Sequence, residues 1–127
     1  MLFRSGTVLV GGDYQGSNAL VPNARMAYVG TDARINVDAV TRGAGGKAIV
    51  WADVSTVVLG SISARGGSDG GDGGFVETSG KGSLIVTRAP DLSARRREFQ
   101  GGTWLLDRKS TRLNSSHVAL SRMPSSA

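Results

Sequence analysis

The chain has 127 residues, with 15 Lys and Arg against 10 Asp and Glu, 19 glycines, few aromatics and no cysteine. The missing cysteine excludes a disulfide framework and any thiolate-ligated metal, and so much glycine with so few aromatics argues for a turn-rich, quasi-linear fold over an ordinary compact globule. The pI near 10.4 would suggest a nucleic-acid partner. However, residues 1–106 hold 11 basic residues against nine acidic ones, a net +2, and the one basic run, Arg95-Arg96-Arg97, has no interleaved aromatics to stack bases. Nucleic acid is not an expected partner.

"MLFRSGTVLVGG" at the start has no apolar stretch long enough for a signal peptide or a membrane span, so an export signal, if there is one, is expected upstream. From there, short β-type runs alternate with Gly or Asn/Asp turns. They are "TVLVGG" (7–12), "MAYVG" (26–30), "ARINVDA" (33–39), "KAIVWAD" (47–53), "STVVLG" (55–60), "SISARG" (61–66), "GFVETSG" (74–80), "SLIVT" (83–87) and "TWLL" (103–106). Most are rich in Val, Ile and Thr, and no helical period is sustained between them. The fold class is all-β.

Displacing the chain by 27 residues pairs Ile35 with Ile62, Val37 with Ala64, Gly46 with Gly73 and Ile49 with Val76. A unit holding two or three short strands cannot bury its apolar face alone, whereas stacked units bury one continuous core. A parallel β-helix fits best, with Ile35, Val37, Ile49, Trp51, Ile62, Ala64 and Val76 pointing inward as ladders. The alternative is an antiparallel β-sandwich. Without helices for βαβ crossovers, a doubly wound parallel sheet is disfavoured.

The most provocative stretch is "ARGGSDGGDGGFVE" (64–77). Asp69, Asp72 and Glu77 offer the hard oxygens that calcium takes, but the spacing is wrong for the calcium-binding nonapeptide and the pattern occurs once. The favoured reading is a sharp corner in which glycine supplies positive φ. Gly66, Gly67, Gly73 and Gly74 would make that corner, Gly11 and Gly12 the turn in "VGGDYQG" (10–16), and Gly45 and Gly46 the turn in "RGAGGK" (42–47). None of the three is a phosphate cradle, since no Gly-Lys-Ser/Thr and no helix follows. No metal and no cofactor is expected.

Catalysis has little to draw on. His117, the single histidine, has no neighbouring nucleophile, and nothing in the spacing of Asp13, Asp38, Asp53, Asp69, Asp72 and Glu77 selects an acid/base pair. Tyr14, Tyr28 and Trp51 could contact sugars, although Trp51 continues the inward set of its strand. The chain is not expected to be an enzyme.

Taken together, "GTVLVGGDYQG", "NARMAYVGTDARINVDA", "GGKAIVWADVSTVVLGSISARGGSDGGDGGFVETSGKGSL" and "GGTWLLD" resemble the filamentous haemagglutinin-like exoproteins of two-partner secretion, from about Gly6 to Asp107. The resemblance implies a shaft segment of a long right-handed β-helical adhesin. Such a protein crosses the outer membrane of a Gram-negative cell through a dedicated β-barrel transporter, is secreted or displayed at the cell surface, and meets glycans or proteins of host or neighbouring cells. It implies no catalytic residues. Arg88–Gln100 departs from the family pattern in being longer and more basic. A carbohydrate-active β-helical enzyme fragment and a calcium-stabilised secreted module are the alternatives.

The last 21 residues, "DRKSTRLNSSHVALSRMPSSA" (107–127), contain no glycine and six serines. Asp107–His117 and Ser121–Ala127 back-translate, in one frame, to text that resembles a common sequencing adapter. The expected organisation is therefore a β-helical repeat fragment of a larger adhesin over 1–106, then an artefactual, disordered tail over 107–127.

Overall fold

The computed structural model describes residues 6–108 and 116–119. Nine strands follow the predicted runs: β1 (Thr7–Val10), β2 (Met26–Val29), β3 (Arg34–Asn36), β4 (Lys47–Ala52), β5 (Ser55–Val58), β6 (Ser61–Ser63), β7 (Phe75–Gly80), β8 (Ser83–Val86) and β9 (Thr103–Arg108). A tenth, β10, spans Ser116–Ala119, and a single 3-10 turn occupies Tyr14–Gly16. No helix among the described residues is long and apolar enough to cross a membrane.

The strands form three sheets. Sheet A has the order β1-β4-β7-β9-β10, sheet B β2-β5-β8 and sheet C β3-β6. Each strand from β1 to β6 pairs with one lying three places further along the chain, and β7 pairs with β9; all of these pairings are parallel. The antiparallel sandwich is therefore not the arrangement adopted. Turns such as Asp53–Val54 and Leu59–Gly60 lead each strand into the next sheet, not back alongside itself, which leaves parallel pairing as the way to satisfy the backbone.

Within sheets A and B the residue facing each position lies 28 further on: Lys47 faces Phe75, Phe75 faces Thr103, and Ser55 faces Ser83. In sheet C the step is 27, Ile35 facing Ile62. The difference arises in the corner after β6. Ala39 N–H donates to Arg65 O, but Arg42 is bridged to Gly70, and Gly70 N–H closes a tight turn on Gly67 O. That turn absorbs one extra residue.

The consequence falls on β4. Ala48, and not Ile49, faces Val76, while Ile49 faces Glu77. The interior cluster includes Ala48, Val50, Ala52 and Val76 from sheet A, Val58 from sheet B, and Val37, Ile62, Ala64 and Leu92, with Ile35 packed against it. Ile49 and Trp51, expected inward, are buried on the opposite face of sheet A. A one-residue slip exchanges the two faces of a strand, and β4 is buried on both, so "KAIVWA" shows no alternation from which to read the phase.

The corner glycines serve mainly to let backbones approach. Of the eight expected turn glycines, Gly11 alone has positive φ. At Gly74 a Cβ would lie 2.0 Å from Gly46 O, and at Gly102 1.9 Å from Gly74 O, so three successive layers are stacked glycine on glycine.

Asp107 and Arg108 continue β9, and β10 pairs with it antiparallel, His117 opposite Leu105. These two pieces of the segment expected to be disordered are thus strands. An unpaired parallel edge such as that of β9 offers free N–H and C=O groups to any extended segment. The remainder of 107–127 lies outside the described residues.

Leu92 is fully buried in the interior, whereas Leu20 is 90% exposed. Leu92→Ala should cost about 2–5 kcal/mol in denaturant unfolding, through lost transfer energy plus a cavity. Leu20→Ala should stay within about 0.5 kcal/mol of the parent.

Candidate functional site

The strongest concentration of polar chemistry lies on the outer face of sheet A, under a strap formed by residues 11–24. Lys47 faces Thr7, 40 residues back, where the other layers of sheet A use 28; the strap accounts for the excess. Gly11 (φ 81°) turns the chain out of β1, and Ala24 N–H returns to Gly11 O at 2.7 Å. Asp13 holds the strap's shape, Oδ1 accepting from Tyr14 N–H and Oδ2 from the Asn18 side-chain amide. Those two bonds, the Asn18 one foremost, keep its carboxyl below the usual range.

Two ladders run beneath the strap across neighbouring strands: Leu9, Ile49, Glu77 and Leu105 in one, Trp51, Ser79 and Asp107 in the other. The Trp51 indole lies flat under Gly12 and Gly16 and donates Nε1–H to Asp53 Oδ1 at 3.1 Å. Gly16 has φ 63°, and a Cβ there would sit 2.4 Å from the indole ring. Gln15, held at φ 51°, points its N–H at Glu77 Oε1, 2.9 Å away. Tyr14 rests against Phe75 with ring centroids 5.8 Å apart.

Glu77 is 0% exposed and its second oxygen accepts from Ser79 Oγ at 2.8 Å. Burial raises its pKa; the bonds from Gln15 and Ser79 pull the other way, and the nearby charges of Asp107 and Asp13 push it further up. Asp107 is 1% exposed, and neither of its oxygens has a hydrogen-bond partner among the described residues. Two carboxylates sealed from water are thus close enough to repel. A substrate could reach them only by displacing the strap.

The other acids singled out in the sequence are dispersed. Asp38 accepts from Ser63 Oγ, Arg65 N–H and the Arg65 guanidinium, all within 3.0 Å. Burial pushes this carboxyl up, but the Arg65 and Ser63 bonds outweigh that and hold it below the usual range. Asp53 serves the Trp51 indole, and Asp72 accepts from Gln100 N–H in the next layer. Asp69 is exposed at the rim of an open, apolar depression with Gly70, Gly71 and Phe99. Asp69 and Asp72 sit in the corner and Glu77 under the strap, and no cluster of three or more acidic or imidazole groups suited to a metal occurs among the described residues.

Two outward surfaces complete the inventory. Sheet C carries an open groove of about 410 Å³ lined by Arg34, Arg65 and Arg88 with Asn36, Ser61 and Ser63, and one of its cations is already committed to Asp38. On sheet B, Tyr28, Val57 and Ile85 face one another across three strands, with Tyr28 and Ile85 exposed. In the basic run, Arg95 donates to Gly66 O and Ala39 O, tying three layers at the corner, and Arg96 lies 3.8 Å from Glu98.

Gln15, Ser79 and Asp107 escaped the sequence reading. The 28-residue step, which sets Ser79 against Asp107, is the signal that could have found the last two; 27 hides it. No protein-family model matches the chain, and no curated protein matches it.

Two outcomes follow from this geometry. Gly16→Ala should lower unfolding free energy by about 1–3 kcal/mol, from the left-handed φ and the clash with Trp51, while Gly30→Ala, which meets only the Tyr28 ring at 3.4 Å, should retain most of the parent's stability. Asp38 has a depressed folded pKa, so its contribution is present above the ordinary carboxylate range and lost as pH falls through the depressed value. Asp38→Asn should therefore flatten the acid limb of a stability–pH profile and leave the neutral limb parallel to that of the parent.

Proposed function

We propose that this chain is a stretch of right-handed parallel β-helix that acts as the shaft of a secreted or surface-displayed adhesin of the filamentous haemagglutinin-like class. The recurring 28-residue step across sheets A and B supports this reading most directly. A chain that visits three parallel sheets in turn and returns one strand further along each time can be extended without altering its cross-section. Each circuit would advance the molecule by about 4.8 Å, the spacing of hydrogen-bonded strands. Such a shaft works by length and repetition, holding outward loops and faces away from the cell.

The resemblance carried by "GGDYQG", "GGKAIVWAD" and "SARGGSDGGDGGFVETSG" adds the rest of the proposal. The parent is exported through an outer-membrane β-barrel transporter of a Gram-negative cell and engages glycans or proteins of other cells. Its role is mechanical and adhesive, with no catalysis and no cofactor. The exposed Tyr28–Val57–Ile85 face and the arginine-lined groove are the surfaces this stretch has to offer a partner.

Antibodies raised against the chain should label intact, unpermeabilised cells that carry the parent gene, and the label should disappear when the partner transporter is deleted. Labelling that requires permeabilisation, or that survives loss of the transporter, would refute the assignment.

A further inference from the structure

The two carboxylates under the strap are provided for unequally. Glu77 has a donor for each oxygen, from Gln15 N–H and Ser79 Oγ, and Asp107 on the adjacent strand has none among the described residues. No Lys or Arg is ion-paired with either, the two ion pairs among the described residues lying elsewhere. Asp13 faces Glu77 from the strap and Asp107 from β9. On β4, Lys47 occupies the register position opposite Phe75, and its charge acts on Asp13. Beyond β4, Asp53 is bonded to the indole, and β10 brings His117 to the register position opposite Leu105.

The cover over Glu77 is removable. The strap is an insertion outside the layered strands and grips the sheet through a few contacts: Gln15 N–H on Glu77, the glycines over Trp51, and Tyr14 on Phe75. The neutral acid suits the closed geometry, since Oε1 still accepts from Gln15 while a protonated Oε2 turns the Ser79 contact round and donates to Oγ.

We propose that the 11–24 strap is a proton-dependent lid, closed over Glu77 and Asp107 while Glu77 carries a proton and released when Glu77 ionises. Closure takes Glu77 out of water, and that burial, together with Asp107 and Asp13, outweighs the two hydrogen bonds and raises its proton affinity. A group bound more tightly to its proton in the closed state favours closure at low pH and ceases to do so as pH rises through the elevated value. Opening would wet Ile49 and Trp51, presenting an apolar face that is hidden in acid.

The test is a pH titration of the full chain followed at the Gln15 backbone amide by ¹H–¹⁵N NMR. In the parent the Gln15 signal should move in a single step above the ordinary glutamate range, with amide exchange across the strap rising over the same interval. Glu77→Gln should hold the signal at its acid-side position at every pH. Asp107→Asn should move the step to lower pH. A Gln15 signal that ignores pH, or a step that persists in Glu77→Gln, would overturn the proposal. If Glu77→Gln does not fold, an Asp107→Asn midpoint equal to the parent's would do the same.

Discussion

Backbone pairing between residues one circuit apart is the constraint on which the rest of this structure depends. Lys47 must meet Phe75, and Phe75 must meet Thr103, because a short parallel strand buried on both faces has no water to satisfy its amides. Once that spacing is set, like falls on like. Apolar side chains stack inside, glycine stacks at the corner before sheet A, and each departure from the spacing must be taken up between sheets, where no ladder is broken. The extra residue near Gly67–Gly70 and the strap at 11–24 both lie in such places.

Much of the fold was legible in the residues. β-branched runs separated by Gly and Asp turns located all nine strands of the first 106 residues, and the absence of helical periodicity fixed the class. Ile35, Val37, Ile62, Ala64 and Val76 were assigned correctly because sheet C and its flanks keep the 27-residue step. Ile49 and Trp51 were not. They follow the corner that gains a residue, in a strand whose two faces are both apolar, so neither repeat nor alternation marked the slip. Glycines at the corners were recognised, but for the wrong reason at most positions: tight contact with a neighbouring backbone, and not positive φ, excludes a side chain there.

The site was less legible, since it depends on what covers a face as well as on which residues share it. Nothing in "GFVETSG" distinguishes Glu77 from a surface acid, and the strap that buries it comes from more than 60 residues earlier. Asp38 and Glu77 make the contrast plain. Both are carboxylates shielded from solvent, yet a guanidinium and a hydroxyl converge on the first, while the second has an amide, a hydroxyl and another acid. Partners, more than burial itself, decide the direction in which each titrates.

The way each layer leans on its neighbour also bears on how the chain acquires its shape. Partners one circuit away are close enough along the chain that closing the intervening loop adds only a modest entropy at each step, and a finished layer presents the next with a ready edge. Assembly of this kind proceeds as a zipper: the slow event is the first pair of stacked circuits, and growth from that seed in either direction is comparatively quick. The dozen or so additional residues before β2 lengthen the one loop that must close between the first two layers of sheet A, so nucleation belongs with β4 to β9 and the strap settles last, over a surface already complete.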